Sequence, residues 1–394
     1  MKTRTAPLSL LFISYLIFFT MAVPTGILNV AWTNMQTTYS VGLESLGVLL
    51  LAGTCGSLIG TFFSGRLIGR FGIGTFLSTG SVIAAFGLLG YSLAPTWIAL
   101  LLVGFTTALG ISVFNAGLNT FVSANYTTGQ LNWLHAAYAL GVTTGPTLTT
   151  LLVQRFSQSW HLCYLIVFVV MLVIVLLLLI TRPRWILPNE VKPGAPAERV
   201  NFWESLLLPE VLIGMALFFV FNGVISGTGQ LSNTLLTSRG VPNAGYWISF
   251  YWGFFFLGRL IMGFVAYRVA NTTLIRACII GVAIGAALLW QSASDSLNLI
   301  GLALIGLSSA PMFPTLIAET RQRVEPRHSA NAIGFQIAAS GLGTSLIPGA
   351  MAWLAAHTVV GVIGALPLIG VLMVLALHEV AVRRREHLPT TVGI

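Results

Sequence analysis

The sequence predicts an all-α integral membrane protein of twelve transmembrane helices in two pseudo-symmetric six-helix bundles. Three observations predict it. The chain is 56% hydrophobic and 7% charged, with a mean hydropathy of +0.89, whereas a soluble domain carries roughly 25% charged residues. Apolar runs of about 20 residues, the length a helix needs to cross the bilayer hydrocarbon, recur from end to end. Short motifs of the first half return in the second half in the same order. A membrane barrel is excluded because its strands alternate apolar and polar residues over about ten positions, and Val169–Ile180 does not alternate.

Taken in order, spans are expected at 8–35, 42–69, 74–94, 97–124, 131–156, 159–181, 209–237, 244–268, 273–291, 297–318, 330–356 and 358–380. Lys2 and Arg4 before Leu8–Val23 resemble a signal peptide, but no small-residue cleavage site follows and the apolar run continues towards Trp32. It is therefore read as the first span. Most connections are short, which makes neighbouring helices antiparallel hairpins. The exception is 182–207, with Arg182-Pro183-Arg184, Lys192-Pro193-Gly194-Ala195-Pro196, Glu198, Arg199 and Glu204. The expected organisation is a bundle over 1–181, a linker over 182–207 and a bundle over 208–394. The linker reads as a loose tether without substrate ligands.

Charge sets the orientation. With both termini cytoplasmic, 17 of the 19 Lys and Arg fall inside and only Arg155 and Arg239 fall outside. That is the distribution that membrane insertion imposes, and an odd span count would spoil it. A multi-pass protein of the cytoplasmic membrane is expected. The net charge of +9 is accounted for by these loop cations, so no nucleic-acid partner is expected. Cys55, Cys163 and Cys278 all fall in apolar spans, which gives no disulfide framework.

The internal repeat rests on three matches. Gly65-Arg66-Leu67-Ile68 ends span 2, and Gly258-Arg259-Leu260-Ile261 recurs in span 8. Gly110 precedes Asn115 in span 4 as Gly306 precedes Pro311 in span 10. Spans 5 and 11 each join a glycine run to a late proline: Gly141, Gly145 and Pro146, then Gly341, Gly343 and Pro348. Parallel six-span repeats around a midplane site are one of the transporter designs.

At this point the chain resembles the major facilitator superfamily over all twelve spans. Gly65 to Gly72, with Arg66 and Arg70, is similar to that superfamily's signature between spans 2 and 3, although Gly69 stands where the signature is acidic. Within the superfamily the chain resembles the fucose-permease-like group of sugar transporters. The matching strings are Gly26–Trp32, Ala116–Thr120, Asn132–Ala136, Tyr251-Trp252-Gly253, Ala310–Thr315 and Asn331–Gln336. The resemblance implies a cavity lined by spans 1, 4, 5, 7, 8, 10 and 11. It also implies acidic proton carriers where this chain has Thr25, Asn115 and Ile225.

The residues read the same way without the resemblance. Polar side chains in spans avoid lipid and face the protein interior or water. At helical spacing they form stripes: Asn222, Ser226, Gln230 and Asn233 in span 7; Thr25, Asn29 and Trp32 in span 1; Asn115 and Asn119 in span 4; Asn132, His135 and Tyr138 in span 5; Gln336, Ser340 and Thr344 in span 11. Amides donate and accept, which suits hydroxyl groups. The aromatic rings of Trp32, Tyr138, Tyr251 and Trp252 suit the C–H face of a sugar. The competing role is polar glue between helices. His135 has three open roles: substrate ligand, proton carrier, or tie to a neighbouring helix. Arg66, Arg70 and Arg259, with Gly65, Gly258, Pro146, Pro311 and Pro314, are expected to gate or pack.

The sole aspartate, Asp295, lies in a loop, and Glu44, Glu210 and Glu319 lie near span ends. Without a carboxylate in a span, facilitated diffusion is favoured over proton or sodium coupling. No Walker lysine, metal cluster or nucleophile constellation is present, so neither an enzyme nor a cofactor is expected. The expected protein is a monomeric secondary transporter of a small neutral sugar-like solute, in contact only with lipid and solute. The alternatives are an exporter of amphiphiles or drugs by proton antiport, and a transport-inactive membrane sensor.

Overall fold

The computed structural model describes residues 6–126, 128–187, 202–265, 269–291 and 294–387. The linker core with Pro193 and Pro196, and the Asn132 side chain, lie outside the described residues. Within them all regular structure is helical. In chain order the helices are α1 (Leu8–Tyr39), α2 (Ser45–Phe71), α3 (Ile73–Leu93), α4 (Trp97–Asn125), α5 (Thr128–Thr149), α6 (Trp160–Thr181), the short α7 (Phe202–Leu206), α8 (Pro209–Ser238), α9 (Ala244–Val265), α10 (Asn271–Gln291), α11 (Asp295–Ser309), α12 (Met312–Arg323), α13 (Pro326–His357) and α14 (Val362–His387). Among the described residues, 11 stretches are long and apolar enough to cross a membrane, α11 and α12 together making one of them. Helix α9 occupies the position of the eighth expected span. A spanning helix forms because lipid offers no partner for its backbone N–H and C=O groups, so each must be satisfied within the helix.

The chain forms two compact units. One comprises Met1–Gly194 and Leu236–Gly253, the other Ala195–Leu235 and Phe254–Ile394. In the first unit α1 packs on α5, α2 on α4, and α3 on both α4 and α6. It also takes in the first half of α9. There the Thr147 and Ser249 hydroxyls are 2.7 Å apart, and Gly245 lies against Thr150 and Val30. In the second unit α10 packs on α11 and α14. Gly343 brings α13 onto α8, and Gly258 brings α9 onto α11. The second unit thus repeats the packing pairs of the first, helix for helix.

Two glycines show how close the repeat is. A Cβ on Gly141 of α5 would run into the Phe19 carbonyl of α1, and a Cβ on Gly343 of α13 would run into the Phe219 carbonyl of α8. Bare backbone at these positions lets the helices touch, and such close contact is the main source of helix association in lipid.

Prolines shape the same interfaces. A proline inside a helix removes the N–H that would bond the carbonyl four residues earlier. Pro146 leaves the Val142 carbonyl without that donor, and Gly26 of α1 lies against it. Pro348 does the same to the Thr344 carbonyl, and the Ser226 hydroxyl donates to it at 3.1 Å. Pro311 interrupts the tenth span into α11 and α12 and frees the Leu307 carbonyl, against which Gly258 lies. Beyond Pro146, α5 widens into a π-helical turn at Thr150–Arg155. The single helix expected over 297–318 is thus two, with Pro311 at the N-cap of the second.

The far end of the expected tether is docked. In α7, Ser205 is buried and its Oγ is 2.9 Å from His328 Nδ1. Asn331 Nδ2 donates to the same oxygen at 3.0 Å, and Glu204 is 3.6 Å from His328 Nε2. Trp203 and Leu207 are exposed.

Candidate functional site

In the first unit, α4 carries the most telling pair. Asn115 is exposed although it lies well inside a spanning helix, and Asn119 is half-buried one turn on. Asn119 Nδ2 donates to Asn115 Oδ1 at 2.6 Å and to the Asn115 carbonyl at 2.7 Å. The pair orients itself and leaves the Asn115 amide nitrogen and the Asn119 oxygen turned away from their mutual bond. An amide pair exposed to lipid would be costly.

Helix α5 sets His135 and Tyr138, both half-buried, around Phe18 of α1. Their ring centroids lie 5.8 Å and 6.4 Å from that of Phe18, both edge-on. Asn29 and Trp32 lie further along α1, each 1% exposed. The Trp32 ring packs against Trp97 of α4 at 6.1 Å, so it is wedged between helices of its own unit. Tyr251 is fully buried, with the Trp252 ring edge-on at 4.9 Å.

In the second unit the α8 stripe divides. Asn222 is half-buried and its Nδ2 donates to the Phe218 carbonyl at 3.0 Å, which leaves its side-chain oxygen as an acceptor. The Ser226 hydroxyl is occupied by the Thr344 carbonyl, and Gln230 is buried. Gln336 of α13 is also buried. Its Oε1 accepts from Thr320 Oγ1 at 2.9 Å and its amide nitrogen lies against Gly214. In this structure Ser226 and Gln336 therefore join helices.

The arginines and prolines also separate. Gly65 has open space around it, and Arg66 and Arg70 are exposed, with Arg70 over the Phe71 ring at 5.2 Å. Gly258 is packed against α11, and the Arg259 guanidinium lies over Phe255 at 4.9 Å. The Gly-Arg-Leu-Ile motif thus repeats in sequence but not in packing. Pro146 and Pro311 are buried in helix contacts, whereas Pro314 is exposed.

An ionic cluster in the second unit was not expected from the sequence. Glu319 near the end of α12 is 1% exposed. It bonds Arg323 one turn on and accepts from Thr272 Oγ1 of α10 at 3.0 Å. His378 of α14 is fully buried with Nδ1 3.7 Å from Glu319 Oε2. At its edge, Arg276 makes two 2.7 Å bonds to Glu379. The expectation that no span holds a carboxylate is corrected: proximity to a helix end did not expose Glu319, because α10 and α14 close over it. Glu-x-x-x-Arg spacing at 319 and 323 was the available signal, since residues four apart share a helix face.

Comparison with known proteins places this architecture. A family model described as Major Facilitator Superfamily matches residues 14–298. A solved D-xylose–proton symporter is similar in fold, with a TM-score of 0.73 at 13% identity over 93% of this chain and 97% of that one. The nucleoside transporter NupG, as a mutant, gives 0.73 at 17% over 96% and 99%. A bacterial homolog of the human lysosomal transporter Spinster, solved inward-facing and unoccupied, gives 0.71 at 13% over 95% of each chain.

Proposed function

From the premise that this chain belongs to the Major Facilitator Superfamily, and so is a membrane transporter rather than an enzyme, we propose that it moves a small neutral polyhydroxylated solute, sugar-like in chemistry, by alternating access. The observation that carries the solute class is the Asn115–Asn119 pair, a self-oriented amide pair in a spanning helix with Asn115 exposed. It offers donors and acceptors without net charge, the combination that hydroxyl groups need. Asn222, with a free acceptor oxygen after its bond to Phe218, offers the same from the second unit. His135 and Tyr138 contribute ring edges and polar tips beside Phe18. Solved transporters of similar fold are described as moving D-xylose and nucleosides, both rich in hydroxyls.

We place the protein in the cytoplasmic membrane with both termini inside, on the segregation of its cations. The test is a thermal-shift screen of detergent-purified protein against monosaccharides, nucleosides and amphiphilic dyes, followed by uptake into proteoliposomes. Stabilisation by a neutral sugar that Asn115→Ala removes is the expected result. Stabilisation by dyes alone would move the reading to an exporter of amphiphiles, and no shift with any ligand would favour a sensor.

A further inference from the structure

Acids are divided unevenly between the two units. From residue 1 to residue 189 the one carboxylate side chain is that of Glu44, which precedes α2. The opposite end of α2 carries Arg66 and Arg70, one turn apart and both exposed. Gly72 alone separates α2 from α3. At the start of α3, Gly74 lies against the Arg182 carbonyl, and Thr75 Oγ1 accepts from Arg182 Nη2 at 2.9 Å. Arg184 follows in the same short 3-10 turn and is exposed. These contacts gather four arginines at the α2–α3 turn. Among the described residues none of the four forms an ion pair, whereas in the second unit Arg276, Arg323, Arg327 and Arg384 each face a glutamate.

Membrane insertion accounts for the side on which such cations lie. It does not account for their lack of counter-charge, since the second unit follows the same rule with four of its arginines paired. The α2 C-terminus favours Arg70 through the helix dipole, but that partial charge cannot offset four guanidinium groups, and like charges one turn apart repel. The cluster therefore calls for an anion from outside the chain. The surface beside it indicates which anion. Phe62 lies one turn before Arg66 on the same face of α2, and Phe62, Phe63, Leu67 and Phe71 are all exposed. An apolar strip that ends in guanidinium groups complements acyl chains that end in a phosphate, and guanidinium forks bond phosphate oxygens in pairs. We propose that the α2–α3 turn binds an anionic phospholipid, with its headgroup among Arg66, Arg70, Arg182 and Arg184 and its acyl chains along α2. Gly69, between the two α2 arginines, has open space around it, so no side chain at that position competes for the headgroup. Only the assignment to the cytoplasmic leaflet rests on the orientation proposed above.

The test titrates the detergent-purified chain with dioleoylphosphatidylglycerol, dioleoylphosphatidylcholine or inorganic phosphate and follows the unfolding temperature. Phosphatidylglycerol is expected to raise it, and the choline lipid with the same chains is not. Arg70→Gln and Arg184→Gln, both at exposed side chains, should each raise the half-saturating lipid concentration about fivefold, the worth of one cation at an anionic surface. Gly69→Glu, which sets a carboxylate in the open space beside the arginines, should weaken the effect as well. Arg321→Gln, at an exposed arginine of the second unit, should leave it unchanged. Equal shifts with the two lipids overturn the site. So does an equal loss in Arg321→Gln and Arg70→Gln, which marks diffuse attraction to any cation. Protection by inorganic phosphate at the lipid's own concentration overturns the lipid as occupant. Detergent has no sides, so this outcome is independent of orientation. The leaflet is decided separately by a membrane-impermeant maleimide on intact cells, which should label Arg184→Cys no more than wild type; stronger labelling overturns the cytoplasmic assignment alone.

Discussion

The Ser226 hydroxyl of α8 donates to the Thr344 carbonyl of α13 at 3.1 Å, and that carbonyl is the one Pro348 leaves without its helical donor. Sequence position placed Ser226 in a solute-facing stripe. The structure uses it to satisfy the carbonyl that the proline frees, across a helix interface; in the first unit the corresponding Val142 carbonyl is approached only by the bare backbone of Gly26.

A double-mutant cycle follows from this bond. Ser226→Ala is expected to cost about 1 kcal/mol, the usual net worth of one hydrogen bond. In a Pro348→Ala background the restored N–H bonds the Thr344 carbonyl instead, so the same substitution should cost less. Unfolding temperatures of the four detergent-purified proteins measure the difference, and equal costs in both backgrounds would show that the hydroxyl serves something other than this carbonyl.

Glycine substitutions should separate by packing. Gly141→Ala and Gly343→Ala push a methyl into the Phe19 and Phe219 carbonyls, and forcing packed helices apart typically costs about 1–3 kcal/mol. Gly65→Ala meets open space and should be neutral or stabilise by up to about 1 kcal/mol through helix propensity. Fluorescence-detected size exclusion after heating ranks the three.

The amides should separate in the same way. Asn115→Ala removes an exposed side chain, so the unliganded protein should keep its unfolding temperature and lose the ligand-induced shift. Gln336→Ala removes a buried side chain bonded to Thr320, so the unliganded protein itself should lose about 1–3 kcal/mol, the penalty for an unsatisfied buried group. If both variants behave alike, the division between solute-facing and helix-joining amides is wrong.

The ion pairs differ by burial. Glu319→Ala strands the nearly buried Arg323 and is expected to cost about 3–5 kcal/mol, as breaking a buried pair does. Arg276→Ala breaks a pair whose side chains are 46% and 31% exposed and should cost about 1 kcal/mol or less. Expression level and unfolding temperature together distinguish the two.

Much of the fold was legible because lipid makes span composition nearly decisive. A run such as Val169–Ile180 has no other way to satisfy its backbone, and the repeated Gly and Pro of spans 5 and 11 marked the paired interfaces at Gly141 and Gly343. The site was legible only in outline. Asn115 and Ser226 look equivalent as polar residues on a helical stripe, yet one is exposed and the other bonds a backbone carbonyl. The break at Pro311 was not legible, because Pro146 and Pro348 remove the same N–H inside helices that continue, whereas α11 ends at Ser309 and α12 begins at Met312.

The sequence by itself determined the all-helical membrane class, the two-fold repeat and the scarcity of acidic groups, since all three follow from composition and period along the chain. Only the tertiary structure decided which polar groups are spent on neighbouring helices and which stay exposed. It alone showed that Glu319, Arg323 and His378 meet across α12 and α14. Burial and pairing depend on what packs over a residue from 47 to 103 positions away, and no local pattern in the chain encodes that neighbour.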